Sequence, residues 1–377
     1  MDIINPATEN LITELTPDSP AFIQQLYEDA RDHQPAWAAR PLEERLSIIR
    51  NFYKLMDDRE DDLARILTEE MGKPLQQSYN ELKGAQGRIE FFLEHAATYL
   101  ADEWMVPDGG TREKITYEPL GVIANISAWN YPYLVGVNVF IPALIAGNAV
   151  MYKPSEHAAL TGLRIEALLR EAGVPDEIFC CVTGDRESGE LLLKLPLDGY
   201  FFTGSYRTGQ YIYQKVAHKM VPCQMELGGK DPLYVTADNA DLKKVAQAAV
   251  EGAFYNSGQS CCAVERIYVH EDVYDDFLDH FVEETGTYKV GNPLEKETSI
   301  GPLARKDQVH FLQKQVGDAL LKGASIACGE ERWEGQGYYF IPTVVVDVDH
   351  SMDLMKEESF GPVIGIKLIA SSSEATF

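Results

Sequence analysis

The sequence predicts an α/β fold with two domains, a doubly wound parallel sheet and a second α/β domain after it. From Gly121 onward, short apolar segments alternate with longer segments of helical periodicity, the pattern of a parallel sheet covered on both faces. The same alternation starts again near Gly228. Before both series, residues 20–104 have charge-rich helical periodicity. We therefore expect one domain over residues 1–227 and another over residues 228–377.

The individual elements follow from apolar runs and from the turn residues between them. In the first series, the expected strands are residues 122–127, 149–152, 178–182 and 199–202. The expected helices are residues 133–146, 160–172, 187–195 and 208–218. In the second series, we expect strands at residues 233–235 and 266–269 and helices at residues 242–255 and 273–285.

One stretch, residues 119–152, carries no formal charge, and a membrane-spanning helix has to be considered for it. Prolines, glycines and asparagines interrupt the run, namely Pro132, Pro142, Gly136, Gly147, Asn125, Asn130, Asn138 and Asn148. The stretch is better interpreted as strand, helix and strand within a buried α/β core. No membrane partner is therefore expected.

The composition excludes other partners. The formal net charge is −26, with 45% hydrophobic and 24% charged residues, as in a soluble globular protein. Such a chain lacks the basic surface that nucleic acid binding requires. Six cysteines follow no secretory signal and form no CxxC pair, HExxH motif or Cys/His cluster. We expect free thiols in the cytoplasm and no metal site.

A cysteine pair after a Gly-Gln turn is the strongest chemical signal in the chain. Cys261 and Cys262 follow Gly258-Gln259, and Glu226 lies 35 residues before Cys261 in a second glycine-rich segment. A thiol at a turn, with a carboxylate from another turn, suggests covalent catalysis followed by general-base hydrolysis. The alternative is that both cysteines are small buried hydrophobic residues.

Three other segments follow expected strand ends. Gly204 and Ser205 open a helix, whose N-terminus attracts anions such as a pyrophosphate, although an ordinary turn has the same pattern. Lys153 and Glu156 could hold two ribose hydroxyls, and the carboxylate favours NAD over NADP; alternatively both are solvated loop charges. Asn130 could donate to an oxyanion or merely satisfy a turn.

Taken together and in this order, the segments resemble the aldehyde dehydrogenase superfamily. The matching residues are 128–132, 153–156, 202–205, 225–232, 258–263, 290–293, 301–303 and 358–362, so the resemblance covers nearly the whole chain from Asn5. One departure is Ala128, where many members have proline. Members also continue well beyond Phe377, and the resemblance implies that this further part completes the catalytic domain, a pocket wall and an oligomerisation strand.

The resemblance implies a role for each matching position. Cys261, rather than Cys262, matches the nucleophile. Glu226 matches the general base, and Asn130 matches the oxyanion donor, which acts with the backbone N–H of Cys261. The positions that match cofactor-binding residues are Trp129, Lys153, Ser155, Glu156, Gly204, Ser205, Glu358 and Phe360.

The implied reaction is the NAD-dependent oxidation of a small-molecule aldehyde to a carboxylic acid, with NADP as the other candidate cofactor. The thiolate of Cys261 adds to the aldehyde, hydride passes to the nicotinamide, and water activated by Glu226 hydrolyses the thioester. Glu226 favours this hydrolytic route over acyl transfer to coenzyme A. A strand near residues 112–120 matches the family's interface strand, which implies a homo-oligomer if the C-terminal strand is present.

Other readings stay open from the residues alone. The chain could be a catalytically impaired fragment that keeps a cofactor site, or a thiol acyltransferase or cysteine hydrolase. The aldehyde could be aliphatic or a semialdehyde. Tyr133, Val137 and Tyr255 could line a substrate tunnel, and each could equally be part of the core.

Overall fold

The computed structural model describes residues 1–105, 112–331 and 333–375, which form two compact units. The first unit comprises Met1–Ile3, Thr13–Ile66 and Tyr79–Glu226, and the second comprises Ile4–Ile12, Leu67–Ser78 and Leu227–Phe377. The main division thus falls between Glu226 and Leu227. Two short N-terminal segments, residues 4–12 and 67–78, cluster with the second unit, which the sequence did not indicate.

The N-terminal part is mostly helical. Ser19 accepts a hydrogen bond from the Phe22 N–H and Pro20 is the first helical residue, so the first helix has both start signals. Its inward face carries Ile23, Ala30 and Trp37. The elements are β1 (Asp2–Ile4), β2 (Leu11–Glu14), α1 (Pro20–Ala38), α2 (Leu42–Asp58), α3 (Glu60–Met71) and α4 (Leu75–Tyr99).

A short exposed hairpin follows, made of β3 (Glu103–Met105) and β4 (Glu113–Ile115). The two strands are antiparallel, and every residue in them is exposed. The expected strand near residues 112–120 is therefore shorter than predicted, because residues 116–121 do not join a sheet.

The first unit contains the predicted doubly wound sheet. Its elements are β5 (Val122–Ile126), α5 (Pro132–Ala146), β6 (Ala149–Lys153), α6 (Ala159–Ala172), β7 (Phe179–Cys181), α7 (Arg186–Lys194), β8 (Gly199–Gly204), α8 (Tyr206–Val216) and β9 (Cys223–Leu227). The strand order is β7-β6-β5-β8-β9. The pairs β5–β6, β5–β8 and β6–β7 are parallel. The fold class predicted from the sequence is confirmed.

The uncharged run is the centre of this sheet. Strands β5 and β6 are buried almost throughout, and α5 ends at Gly147, whose φ of 95° only glycine adopts readily. The run is thus strand, helix and strand, as expected. Within the described residues, no helix is long and apolar enough to cross a membrane.

The second unit has its own five-stranded sheet. Its elements are β10 (Pro232–Val235), α9 (Leu242–Phe254), β11 (Arg266–His270), α10 (Tyr274–Thr285), α11 (Lys306–Leu321), β12 (Ser325–Cys328), β13 (Thr343–Val346) and β14 (Val363–Ile369). The strand order is β10-β11-β14-β13-β12, and only the β12–β13 pair among these is antiparallel. Side chains such as Phe254, Phe277 and Phe281 fill the core between the sheet and its helices.

One sequence expectation needs correction. Glu226 was expected in a glycine-rich turn, but it lies on strand β9, one residue before the strand ends at Leu227. The burial of β9 alternates along its length, and Glu226 is on the exposed side. Gly228 and Gly229 follow the strand, so the Glu226 carboxylate projects from a strand and not from a glycine turn.

Candidate active site

The predicted cofactor residues of the first unit lie along one edge of its sheet. Because β5, β6 and β8 are parallel, their carboxyl ends meet there, with Ile126 beside Lys153 on one side and beside Phe202 on the other. The chain crosses from β5 to β6 on one side and later returns to β8 on the other. Such a reversal leaves a crevice beyond the strand ends, where open α/β sheets bind ligands.

The segment after β5 carries Trp129 and Asn130. Asn130 is buried, and helix α5 begins two residues later. The carboxylate of Glu81 accepts the Tyr133 N–H at 2.8 Å, which places a buried negative charge at the N-terminus of α5. Trp129 is half-buried, with its ring edge-on to His157. Glu81 thus anchors the helix that follows Asn130, and no sequence pattern marked it.

The segment after β6 carries Lys153, Ser155 and Glu156. Lys153 is buried, and its Nζ donates to the carbonyls of Pro154 at 3.0 Å and Gly184 at 2.9 Å. Burial lowers the pKa of Lys153, against the opposing effect of Glu156. Lys153 and Glu156 therefore have separate local partners, since Glu156 is bonded to the Ser155 hydroxyl at 3.2 Å.

Glu156 is exposed at the surface of this segment. Partial desolvation of its carboxylate would raise the pKa of Glu156, but a backbone hydrogen bond and the neighbouring His157 and Lys153 outweigh it and lower the pKa. The group is therefore a carboxylate at neutral pH, and it repels a phosphate placed beside it.

The segment after β8 is a helix start. β8 ends at Gly204, and Ser205 caps α8 by accepting the Thr208 N–H at 3.3 Å. A Cβ on Gly204 would lie 2.5 Å from the tip of the Phe202 ring, so glycine gives this ring its room. The first turn of α8 contains no acidic residue. A helix N-terminus of this kind suits a phosphate group.

Buried polar groups at the end of β5 also fit a bound group. Asn125 and Ser127 are buried, and the described part of the chain offers no hydrogen-bond partner to the Asn125 amide or the Ser127 hydroxyl. Buried groups of this kind are normally paired with water or a ligand. Together with the capped helix and the exposed carboxylate, they make this edge suitable for a dinucleotide.

The second unit holds the cysteine turn in a strained conformation. Asn256, Ser257 and Gly258 have φ values of 54°, 55° and 71°, so three successive residues are left-handed. Gln77 accepts the Asn256 N–H at 2.9 Å, and the Gln259 side chain donates to the Asn256 carbonyl at 3.1 Å. Backbone strain of this kind persists only where its surroundings enforce it, and it concentrates at functional sites.

Two further contacts fix the turn. The Ser257 hydroxyl donates to the Gly301 carbonyl at 3.0 Å, and the Gln259 side-chain oxygen accepts the Ala304 N–H at 3.0 Å. A Cβ on Gly258 would overlap the backbone of Gly361. The turn before the cysteines is therefore supported by residues far away in sequence. Gly301 and Gly361 belong to segments that the sequence had singled out, whereas Gln77 was not predicted.

The two thiols after this turn are accessible. Cys261 and Cys262 are exposed, with their sulfurs 3.7 Å apart, whereas Cys180 and Cys181 are buried. Although the residue is exposed, partial burial of its sulfur and the adjacent Cys262 raise the pKa of Cys261 to about 11. Cys261 is therefore a protonated thiol at neutral pH until a base removes its proton.

Glu358 and Phe360 lie together on a turn of the second unit. The Glu358 carboxylate lies directly against Gly228, where a Cβ would overlap it. Burial and the charge of Glu265 raise the pKa of Glu358 to about 7, although the Gly229 N–H and Lys230 oppose the shift. Phe360 has a positive φ of 51°, so this turn also carries backbone strain.

The structure thus groups the predicted residues within each unit. In the first unit, residues after β5, β6 and β8 share one sheet edge, and Glu226 lies exposed on the edge strand β9 with Gln224 as a 3.5 Å neighbour. In the second unit, Gly258 packs on Gly361, which brings the turns that carry Cys261 and Phe360 together. Among the described residues, no cluster of His, Cys, Asp and Glu could hold a metal ion.

Comparisons with known proteins agree with this arrangement. The aldehyde dehydrogenase family model matches residues 1–376. The NADP(+) succinate-semialdehyde dehydrogenase GabD of Escherichia coli is 33% identical over 365 residues, which cover 96% of this chain and 76% of that protein. Betaine aldehyde dehydrogenase 1 of Rhizobium meliloti is 35% identical over 370 residues, covering 97% of this chain and 75% of that protein.

The fold is also similar to solved structures. Betaine aldehyde dehydrogenase from Staphylococcus aureus, solved in complex with NAD+, superposes with a TM-score of 0.94 at 29% identity, covering 100% of this chain and 76% of that one. The two parallel-stranded sheets define an α/β fold, and its second unit carries an exposed thiol on a strained turn. The chain belongs to the aldehyde dehydrogenase family.

Proposed function

We propose that this chain oxidises a small aldehyde to the carboxylic acid with a nicotinamide dinucleotide, and that Cys261 is its nucleophile. The observation that carries the proposal is the position of Cys261. It is an exposed thiol that follows three left-handed residues held in place by Gln77 and Gln259. A rigid support of this kind suits a nucleophile that must meet its substrate in one orientation.

The sheet edge of the first unit and the Glu358 turn of the second are the parts that would hold the cofactor. The first turn of α8, after Gly204 and Ser205, suits the phosphates, and the Lys153–Glu156 segment suits a ribose. Trp129, Ser155, Glu358 and Phe360 are further proposed contacts. Bound NAD or NADP supplies the acceptor for the hydride that leaves the substrate carbon.

Three side chains of the protein act on the substrate in this proposal. Cys261 loses its proton and adds to the aldehyde carbon, because the thiolate is the reactive form. The Asn130 amide and the Cys261 N–H hold the carbonyl oxygen as it gains charge. After the oxidation, Glu226 removes a proton from water, which releases the acid from the thioester.

We propose NAD as the preferred cofactor. Glu156 is exposed and negatively charged, and it would repel the 2′-phosphate of NADP while accepting ribose hydroxyls. The named relatives include both a protein specified for NADP(+) and one solved with NAD+. The substrate class is a small aldehyde or semialdehyde, as in the names of those relatives.

The experiment is a comparison of three variants in an NADH assay over a panel of aldehydes. Cys261→Ala should abolish turnover, whereas Glu226→Gln should allow one burst of NADH and then stop, because only hydrolysis is blocked. Cys262→Ala is the matched control, and it should keep turning over. Full steady turnover in Glu226→Gln would exclude the assigned base, and turnover in Cys261→Ala would move the nucleophile to Cys262.

We also propose that copies of the chain associate through the β3–β4 hairpin. Trp104, Met105, Ile115 and Tyr117 are large apolar side chains that lie exposed on or beside it. The oligomeric state in solution tests whether the hairpin is an interface.

Six free cysteines support a reducing compartment such as the cytoplasm. The net charge of −26 supports the absence of a nucleic acid partner.

A further inference from the structure

A buried carboxylate that has no part in the proposed chemistry lies close to it. Glu265 lies four residues after Cys261 and immediately before strand β11. Lys230 lies just before β10, and the parallel register of Pro232 with Arg266 places the two strand starts side by side. The Lys230 Nζ is 2.6 Å from Glu265 Oε2, and both side chains are more than nine-tenths buried. The pairing of β10 with β11 therefore places Lys230 and Glu265 together as a buried ion pair.

The same carboxylate holds the backbone of the Glu358–Phe360 turn. Glu265 Oε2 accepts the Ser359 N–H at 2.9 Å, and Oε1 accepts the Phe360 N–H at 3.0 Å. Lys230 adds a hydrogen bond to the Ser359 hydroxyl at 2.9 Å. Bonds to charged groups are about twice as strong as neutral ones, so this turn is held firmly from one side.

Helix α11 makes further hydrogen bonds to the same turn. Gln315 donates to the carbonyls of Glu357 at 3.3 Å and Glu358 at 3.5 Å, and Gln308 donates to the Ser359 carbonyl at 2.6 Å. These contacts explain how Phe360 keeps its positive φ, which would otherwise relax.

Three segments meet around Glu265. The first contains Gly228, which packs on the Glu358 carboxylate, and continues to Lys230. The second runs from Gly258, which packs on Gly361, through the cysteines to Glu265 itself. The third is the Glu358 turn. At Gly258 an added carbon would overlap the backbone of Gly361, so these two segments are in close backbone contact, whereas at Gly228 it would overlap the Glu358 carboxylate.

We propose that Glu265 is a positioning residue that joins the cysteine turn to the cofactor-binding turn. Its carboxylate sets the place of Glu358 and Phe360 relative to Cys261, through Lys230 and two backbone N–H groups. This inference rests on the proposed function, because it takes Glu358 and Phe360 as cofactor contacts. It goes further by assigning cofactor affinity to a residue that touches neither cofactor nor substrate.

The test uses two variants of the full chain. Glu265→Gln replaces one acceptor with an NH₂ that faces an N–H, and it leaves the Lys230 ammonium without its counter-charge. The double variant Lys230→Met with Glu265→Gln removes that buried charge too, so a folding defect in the single variant leaves the double one measurable. In both, the dissociation constant for NAD and the KM for NAD should rise about tenfold or more.

Two readouts separate positioning from general loss of structure. Amide hydrogen exchange at Ser359 and Phe360 should become about tenfold faster in both variants. Alkylation of Cys261 by iodoacetamide without cofactor should change by less than about threefold, because Gln77 and Gln259 hold the cysteine turn independently. The control is Thr285→Val, which removes a buried hydrogen bond to the Phe281 carbonyl in α10 and touches none of the three segments.

The outcomes are distinguishable. NAD affinity within about twofold of the wild type and unchanged exchange at Ser359 and Phe360 would overturn the inference. An equal loss of NAD affinity in Thr285→Val would overturn it too, because the effect would then follow stability. If the wild-type chain itself fails to bind NAD, the proposed function is wrong, and the exchange rates alone decide whether Glu265 holds the turn.

Discussion

The pKa of Glu358 shows how burial and a neighbouring carboxylate change the protonation of one residue. Its carboxylate lies against Gly228 and near the buried Glu265, and burial together with that charge raises the pKa of Glu358 to about 7. In the unfolded chain, the group has an ordinary pKa near 4.5. The folded protein therefore binds a proton between these two values that the unfolded chain has lost.

The sign of the resulting pH effect follows directly. Because the folded form binds more protons, the stability from protonated Glu358 is fully present below about pH 4.5 and is lost as the pH rises through about 7. Glu358→Gln should remove this loss. At about pH 8 it should be more stable than the wild type by about 1–2 kcal/mol, because partial exposure of the carboxylate screens part of the effect, and at about pH 4.5 the two should be nearly equal.

Urea unfolding at these pH values measures the difference. The control is Glu357→Gln, an exposed neighbour on the same turn, which should keep the pH dependence of the wild type. If Glu358→Gln is no more stable than the wild type at the higher pH, the carboxylate is not held in the unfavourable setting that the structure shows.

The residues that sequence reasoning reached and those it missed differ in the range of their contacts. Cys261, Glu226 and Asn130 belong to short segments whose residue types by themselves indicate a nucleophile, a base and a hydrogen-bond donor. Glu81 and Glu265 act through partners 52 and 94 residues away, the Tyr133 N–H and the Ser359 N–H. No local pattern encodes such a pairing, because the fold alone brings the partners together.

The turn before the cysteines stores backbone strain in three successive residues. Its three left-handed residues are of a kind that usually occurs singly in proteins, because each costs about 1–2 kcal/mol for a residue with a side chain. Glycine at position 258 removes part of this cost and also leaves room for the backbone of Gly361. This turn thus depends on the close approach of Gly258 to Gly361 as much as on its backbone conformation.

Gly258→Ala should therefore destabilise the second unit and impair activity. An added methyl would combine an unfavourable φ with overpacking against Gly361, at a cost of about 2–5 kcal/mol. Gly317→Ala is the matched control. Gly317 lies within α11 with no atom within 4 Å of an added Cβ, and alanine there should stabilise by about 0.5–1 kcal/mol.

Thermal unfolding and the NADH assay read out both variants. Equal stability of Gly258→Ala and the wild type would show that the turn can move away from Gly361. Loss of stability in Gly317→Ala would show instead that the second unit tolerates no added methyl, and the reason given for Gly258 would fail.

At the scale of elements, the sequence predicted the first series closely. Strands β5 and β6 differ by at most one residue at each end from their expected positions, because both strands are buried on both faces and are therefore nearly continuous apolar runs in the sequence. Strand β9 was not predicted. It alternates exposed and half-buried residues over only five positions, and its polar members conceal the strand pattern.

The whole chain carries a large charge imbalance, which affects its stability rather than its fold. Acidic residues number 59 against 33 basic ones, for a net charge of −26. Like charges that fold onto one compact surface repel each other. The doubly wound fold was predictable in spite of this, since it depends on apolar periodicity. The grouping of residues 4–12 with the second unit could not be predicted from the sequence, because it depends on long-range contacts. One of these is the hydrogen bond from the Tyr338 N–H to the Pro6 carbonyl, at 2.9 Å.

Salt should therefore stabilise the protein at neutral and alkaline pH. Raising the ionic strength from about 0.01 M to about 0.5 M shortens the screening length from about 30 Å to a few ångströms, which weakens the repulsion among the carboxylates. The thermal midpoint at about pH 8 should rise by about 2–4 °C or more. NaCl and KCl should act alike, because screening depends on ionic strength and not on the ion.

The same measurement near the isoelectric point is the control. At about pH 5, close to the sequence pI of about 4.6, the net charge is small and the same addition of salt should change the midpoint much less. An equal rise at both pH values would point to a general effect of salt on apolar burial instead. A fall at about pH 8 would mean that attractive ion pairs outweigh the repulsion, in spite of the excess of acidic residues.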